Sequence, residues 1–221
     1  MPEEFALPQL MAYRPEYVAL SDEELVKLFH AADKSNDRGA CHGVFNVLVE
    51  RYQKRIYFAA RKMVHGDHDE ADEIAQDTFV KAYEALGTFR GEAKLYTWLY
   101  RIMMNAVIQR SRKSKTRQMV GLEDLENTLE SAEPGPVDAM LRTETTKLIE
   151  MAIETLPPKQ QRVFIMRHFE ELPYEDISQV TGTSVGGLKA NYFHAIRKIG
   201  EYLQASGRMT EELAHRMQND A

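Results

Sequence analysis

Apolar residues recur along this chain at intervals of three and four and never alternate over a useful length, so its hydrophobic groups can be buried by helices but not by strands. In 43–64 the positions Phe45, Leu48, Val49, Tyr52, Ile56, Ala59, Ala60 and Met63 share one face, which predicts a core helix. HGDHDE at 65–70 interrupts it. DEADEIAQDTFVKAYEAL at 69–86 restarts a helix with Ala71, Ile74, Ala75, Ala82 and Leu86 on one side. Gly87 and Gly91 then bracket a loop, after which Leu95, Trp98, Leu99, Ile102 and Ala106 give a third stripe running into RSRKSKTR at 110–117.

The ends and the middle read differently. Pro2, Pro8 and Pro15 make 1–20 an extended tail. Ser21 with Glu24 forms a capping box ahead of a short helix carrying Leu25, Leu28, Phe29 and Ala32, with a polar loop at 33–40. The stretch GLEDLENTLESAEPGPVDAM at 121–140 has no Lys or Arg and contains the breaker Pro134-Gly135-Pro136, the composition of an interdomain linker. A second helical unit follows from about Leu141 to Leu203, punctuated by Pro157-Pro158 and Leu172-Pro173, and a short helix is expected around Glu211–Met217. The fold class is all-α: two small helical domains joined by an acidic flexible linker, the second with a helix-turn-helix.

Composition excludes several classes of function. The single Cys41 cannot form an internal disulfide or a thiolate metal cluster and reads as a passive thiol in a reducing cytoplasm. No apolar run approaches the roughly 18 residues of a membrane span, and acids stand where a signal peptide has bases, so no membrane insertion is expected. There is no glycine-rich phosphate loop, no metal-ligand spacing and no nucleophile beside a base, so neither enzymatic activity nor a cofactor is expected.

Charge is segregated. The chain carries a formal −6, yet FRGEAKLYTWLYRIMMNAVIQRSRK at 89–113 holds one acid against six bases, Arg90, Lys94, Arg101, Arg110, Arg112 and Lys113, interleaved with Phe89, Tyr96, Trp98 and Tyr100. Cations for phosphates and rings for unstacked bases are the chemistry of single-strand binding, at roughly 1–3 kcal/mol per stacked base. Trp98 is the exception, since it shares the stripe of Leu95 and Ile102 and belongs to the core. The face of Asp69, Asp72, Glu73, Gln76 and Asp77 just upstream would repel DNA and suits a basic protein surface.

ELPYEDISQVTGTSVGGLKANYFHAIRKIGEYL at 171–203 has the spacing of a helix-turn-helix. Pro173 suits the first helical turn, Ile177 and Val180 face inward, Gly182 supplies a left-handed turn residue, and Thr183 or Ser184 caps the second helix. On that helix Val185, Leu188, Tyr192, Ala195 and Ile199 form the buried stripe. Gly186, Ala190, Phe193, His194 and Arg197 point outward, with Lys189 and Arg197 available to phosphates.

These segments, in this order, resemble those of an extracytoplasmic-function (ECF) sigma factor of bacterial RNA polymerase, over roughly residues 21–204. DEADEIAQDTFVKAYEAL resembles the family's clamp-binding region, FRGEAKLYTWLYRIMMN its promoter-melting region, and LPPKQQRVFIMRHFEELPYEDISQVTGTSVGGLK its upstream-element reader. The resemblance implies a tail at 1–20, a first domain at 21–115, a linker at 116–140, a second domain at 141–204 and a tail at 205–221. It implies polymerase binding through Asp72, Glu73, Gln76, Asp77 and Val80. Minus-ten contacts would come from Phe89, Arg90, Gly91, Lys94, Tyr96, Arg101, Asn105 and Arg112. Minus-thirty-five contacts would come from Ser184, Gly186, Gly187, Lys189, Ala190, Asn191, Phe193, His194 and Arg197.

The implied partners are promoter DNA, the clamp, flap and RNA exit channel of core polymerase, and an anti-sigma factor or other regulator, all in the cytoplasm. One departure is that Asn191 and His194 stand where the family often has arginines. Two rival readings are a dimeric helix-turn-helix repressor or activator, and a helical protein–protein adaptor whose basic segment is structural.

Overall fold

The computed structural model describes residues 15–119 and 144–206, with side chains over 16–111 and 148–206. Among these residues only helices and turns occur. The first unit comprises α1 (Pro15–Val18), α2 (Asp22–Lys34), α3 (Arg38–Met63), α4 (His68–Leu86) and α5 (Leu95–Met119). The second comprises α6 (Glu144–Glu154), α7 (Pro158–Phe164) continuing into a π-helical turn (Ile165–Phe169), α8 (Tyr174–Thr181) and α9 (Val185–Ala205).

Local chemistry sets most of the boundaries. Ser21 accepts from the Glu24 amide while the Glu24 carboxylate accepts from the Ser21 amide at 2.8 Å, completing the capping box of α2. Asp37 and Asp67 cap α3 and α4 through the amides of Ala40 and Glu70. His65 and Gly66 take positive φ between α3 and α4, where the HGDHDE interruption falls.

The long α3 is the spine of the first unit, with α2, α4 and α5 packed around it. Its expected stripe is buried from Phe45 to Met63, and Ile56, Ala59 and Ala60 are fully enclosed. Cys41 is also buried, which pushes its thiol pKa up and leaves it the passive group expected. Ile74, Ala82 and Leu86 complete the layer from α4. Full burial of a Leu or Ile side chain contributes roughly 1.5–3 kcal/mol, so this layer carries most of the unit's stability.

Several expectations are corrected. The tail is not wholly extended, because Pro15 opens a four-residue helix; Pro2 and Pro8 lie outside the described residues. The loop after α2 is shorter than 33–40, since the Asp37 cap starts α3 at Arg38. Leu28 is exposed and Val26 buried, a shift of the α2 stripe toward α3. The third stripe is broader than expected: Tyr96, Tyr100, Met103, Met104 and Val107 of α5 are buried with Leu95, Leu99 and Ala106, while Trp98 and Ile102 are only half-buried. Helix α5 continues to Met119, so 116–119 is helical; the linker stretch beyond it and the helix expected near 211–217 lie outside the described residues.

In the second unit Pro173 is the N-cap of α8, not a residue of its first turn. Gly182 ends α8 in the left-handed region at φ +68°, and its amide donates to Ser178 O at 2.8 Å. Ser184, the cap chosen over Thr183, accepts from Gly187 N at 3.3 Å and starts α9. Leu188, Tyr192, Ala195 and Ile199 are buried as expected, and Val185 is half-buried. A Cβ at Gly182 would meet nothing within 4 Å, so its substitution tests backbone strain alone. Gly182→Ala is expected to destabilise the second unit by about 1–2 kcal/mol in chemical denaturation without altering its helical circular dichroism signal; an unchanged midpoint would contradict this.

Candidate polymerase and nucleic-acid interfaces

The acidic face of α4 is solvent-facing where its residues were expected to bind a partner. Glu73, Gln76 and Asp77 are exposed, and Val80 beside them is 61% exposed. Asp72 stands apart: it is half-buried, its Oδ1 has no hydrogen-bond partner, and burial raises its carboxyl pKa. Sequence spacing missed the partner of this face. Arg110, from the far end of α5, donates to Glu73 Oε2 at 2.5 Å and Asp77 Oδ2 at 3.1 Å, and the Glu73 bond raises the guanidinium pKa. One of the six bases of the 89–113 segment is thus committed to the acidic face.

The remaining bases divide by position. Arg90, Gly91 and Lys94 lie exposed in the 87–94 loop, Gly91 at φ +74°, and Arg101 and Asn105 are exposed along α5. Arg112 lies on α5, its side chain outside those described. The rings behave otherwise. Phe89 is buried, its centroid 5.0 Å from that of Trp98. Tyr96 is buried between the Tyr52 ring at 5.9 Å and the Arg55 guanidinium, 3.6 Å from its centroid. Neither ring is displayed to a base in this conformation: Tyr96 lies on α5, which is enclosed on more sides than one stripe requires, and Phe89 of the preceding loop packs on Trp98. The half-buried ring is Trp98, which lines a cleft of about 600 Å³ with Arg90, Arg101 and Thr97. On the other side of the loop a larger cleft of about 990 Å³ is lined by His30, Arg55, Lys94 and Tyr96. The His30 ring bonds Leu86 O at 2.9 Å and ties α2 to the end of α4 at the base of this loop.

Helix α9 presents the expected face. Ser184, Gly186, Lys189, Ala190, His194 and Arg197 are exposed, Phe193 is 56% exposed, and Gly187 and Asn191 are half-buried. Gly187 has a steric role: a Cβ there would stand 3.2 Å from Thr183 Cγ2 and 3.3 Å from the capping Ser184 Oγ. Asn191 spends an amide proton on Gly187 O at 2.8 Å, inside its own helix. Lys189 lies 5.7 Å from the Tyr174 centroid, and Arg197 pairs with Glu201 at 3.5 Å. Arg167, which no motif singled out, also lies 5.1 Å from the Tyr174 centroid and donates to Leu172 O.

The two units also touch. The Tyr96 hydroxyl donates to Glu170 Oε2 at 2.6 Å, Lys62 Nζ donates to Glu170 Oε1 at 3.1 Å, and Thr97 Oγ1 donates to Asp176 Oδ2 at 3.3 Å. Burial and the Glu170 carboxylate together push the Tyr96 phenol well above its ordinary pKa. These pairs are 74 to 108 residues apart in sequence, which left them without any local signal. No helix among the described residues is long and apolar enough to cross a membrane, and no His, Cys, Asp and Glu among them cluster as a metal site.

Comparison with known proteins assigns these parts. Residues 48–117 match the family model of sigma-70 region 2, and residues 146–199 that of sigma-70 region 4. The RNA polymerase sigma-H factor of Pseudomonas aeruginosa is 35% identical over 192 residues, covering 83% of this chain and 94% of that protein. The ECF RNA polymerase sigma-E factor of Haemophilus influenzae is 30% identical over 193 residues, covering 84% and 96%. Two solved structures share the fold. The sigma factor RpoE of Bartonella quintana, in complex with the anti-sigma factor NepR, aligns with a TM-score of 0.61 at 21% identity, over 72% of this chain and 96% of that one. CnrH, in complex with the cytosolic domain of CnrY, gives 0.59 at 20% identity, over 83% and 97%. With both regions matched in order and relatives aligned over most of its length, the chain belongs to the sigma-70 family, as an ECF sigma factor.

Proposed function

We propose that this sigma factor, which binds RNA polymerase and promoter DNA, divides that work among three surfaces. The observation that carries the proposal is the solvent-facing stripe of α9: Gly186, Ala190, Phe193, His194 and Arg197 stand together on a capped helix of a helix-turn-helix. Small residues near its start let the helix approach base edges in a major groove. Phe193 offers an apolar contact for a thymine methyl, and Lys189 and Arg197 reach phosphates. This surface reads the minus-thirty-five element. Ser184, Gly187 and Asn191 hold the geometry of its first turns.

The 87–94 loop and α5 take the minus-ten strand. Arg90, Lys94, Arg101 and Asn105 supply exposed polar contacts around Gly91, and the clefts flanking the loop are of a size to receive an extruded base. Phe89 and Tyr96 support the loop from below, and Arg112 extends the basic track along α5. The α4 face of Glu73, Gln76, Asp77 and Val80 binds the polymerase clamp, with the half-buried Asp72 beside it and Arg110 orienting the two carboxylates. The acidic linker stretch occupies the RNA exit channel and the second unit engages the flap. A regulator such as an anti-sigma factor is a further partner, in line with the NepR and CnrY complexes of the two structural neighbours. The setting is the cytoplasm. The polymerase performs the chemistry, since a sigma factor is not an enzyme.

Run-off transcription from an array of promoters, with core polymerase with and without this protein, tests the whole proposal. Specific transcripts that require the protein are expected, and their absence with polymerase binding intact would contradict it. Three variants test the surfaces. Gln76→Ala with Asp77→Lys is expected to weaken core binding by roughly tenfold, equivalent to about 1.4 kcal/mol; a pull-down at wild-type strength would contradict the clamp assignment. Phe193→Ala is expected to change the upstream consensus selected from randomised promoters while leaving stability within about 0.5 kcal/mol. Arg110→Ala removes a partly exposed ion pair, so its stability loss is expected to stay below about 1 kcal/mol by denaturation while core binding falls.

A further inference from the structure

Tyr96 has the residue type of a base-stacking ring, yet the ring is buried, and what lies over it is the guanidinium of Arg55 on α3. The guanidinium carbon stands 3.6 Å from the ring centroid, the separation of two stacked planes. Tyr96 is itself held from moving, because the Tyr52 ring stacks on it at 5.9 Å with an interplanar angle of 22°. Tyr52 in turn donates its hydroxyl to Asp22. Arg55 is nonetheless an exposed residue, and it lines the larger cleft beside the 87–94 loop, about 990 Å³ in volume. One face of its guanidinium therefore rests on Tyr96 and the other is left to the cleft. A guanidinium plane fixed in this way is a surface on which nucleic-acid bases stack, as they do on aromatic rings.

The other residues of the cleft narrow down what fits it. Lys27, Arg90 and Lys94 are exposed along it and supply cations for phosphates. Two acids, Asp22 and Glu23, come from α2, which precedes the residues matched to region 2. Asp22 is already engaged, since its two oxygens accept from Arg51 and from the Tyr52 hydroxyl. Glu23 is exposed and can accept from the amino group of a base, which a phosphate does not offer.

We propose that the larger cleft takes an extruded base of the minus-ten strand, with Arg55 as its stacking plane and Glu23 as an acceptor at its edge. The inference rests on the minus-ten assignment above. It adds to that surface one residue from outside the basic segment and one from outside the matched region. It also gives the buried Tyr96 a part, as a positioning residue that acts through Arg55 and touches no base. Lysine would not serve at 55: an ammonium is a point charge without a plane, so it keeps the attraction for phosphates and loses the stack.

The test uses the full chain and two fluorescein-labelled strands of about 12 nucleotides, a DNA pool of random sequence and an abasic strand with the same number of phosphates. The wild type is expected to bind the base-bearing pool more tightly than the abasic strand. Arg55→Lys is expected to weaken binding of the pool roughly tenfold and to leave the abasic strand within about twofold. A merely structural role for Arg55 would not separate the two strands. Glu23→Gln, which adds a donor to the acceptor, is expected to change the base enriched at one position in strands selected from the pool. Arg55→Lys binding the pool at wild-type strength, or weakened equally on both strands, would overturn the stacking plane. A wild type that binds the two strands alike, or binds neither, would do the same, and unchanged enrichment with Glu23→Gln would overturn the edge contact. Arg90→Ala with Lys94→Ala separates the proposal from the assignment beneath it. Weaker binding of both strands leaves the minus-ten surface standing whatever Arg55 does; unchanged binding takes both down.

Discussion

A carboxylate removed from water costs several kcal/mol unless donors replace its hydration, and Glu170 is such a group. Its own unit does not supply the donors found here. They come from Lys62 on the spine helix of the first unit and from Tyr96, whose ring is fixed between Tyr52 and Arg55. The satisfaction of one buried charge therefore couples the two units. Around it the first unit is already braced, for Asp22 of α2 accepts from both Arg51 and the Tyr52 hydroxyl of α3. The chain from Asp22 through Tyr52 to Tyr96 and Glu170 links the start of α2 to the second unit through contacts no one element could make.

What the sequence disclosed and what it hid follow from the range of each interaction. The capping box of Ser21 and Glu24, the left-handed Gly182 and the Ser184 cap are decided within three or four residues, so their residue types announce them. The outward face of α9 was equally legible, because that helix buries one stripe and exposes the rest. Helix α5 was not: it is enclosed on several sides, its apolar positions lose a clean period, and Phe89 and Tyr96 that read as stacking rings are core. Leu28 changed places with Val26 because a shift of one residue on a short helix changes which side chain meets α3. The Arg110 clasp on Glu73 and Asp77, and every contact between units, depend on tertiary placement across 33 residues or more.

The arrangement sets three surfaces of different chemistry on one chain. An acidic face, a basic loop and a recognition helix would attract each other freely if all were open at once. Arg110 holds two carboxylates of the first, and Gln179 of the second unit lines the cleft beside the second, while the outward stripe of α9 stays exposed.

The distance between the two units in the wild-type chain and with Glu170→Ala tests this account most directly. Spin labels at Gln109→Cys on α5 and Glu201→Cys on α9, both exposed positions, report it by pulsed electron resonance, with the buried Cys41 left in place. The account predicts a short, narrow distribution for the wild type and a longer, broader one for the variant. The same distribution in both proteins would contradict it.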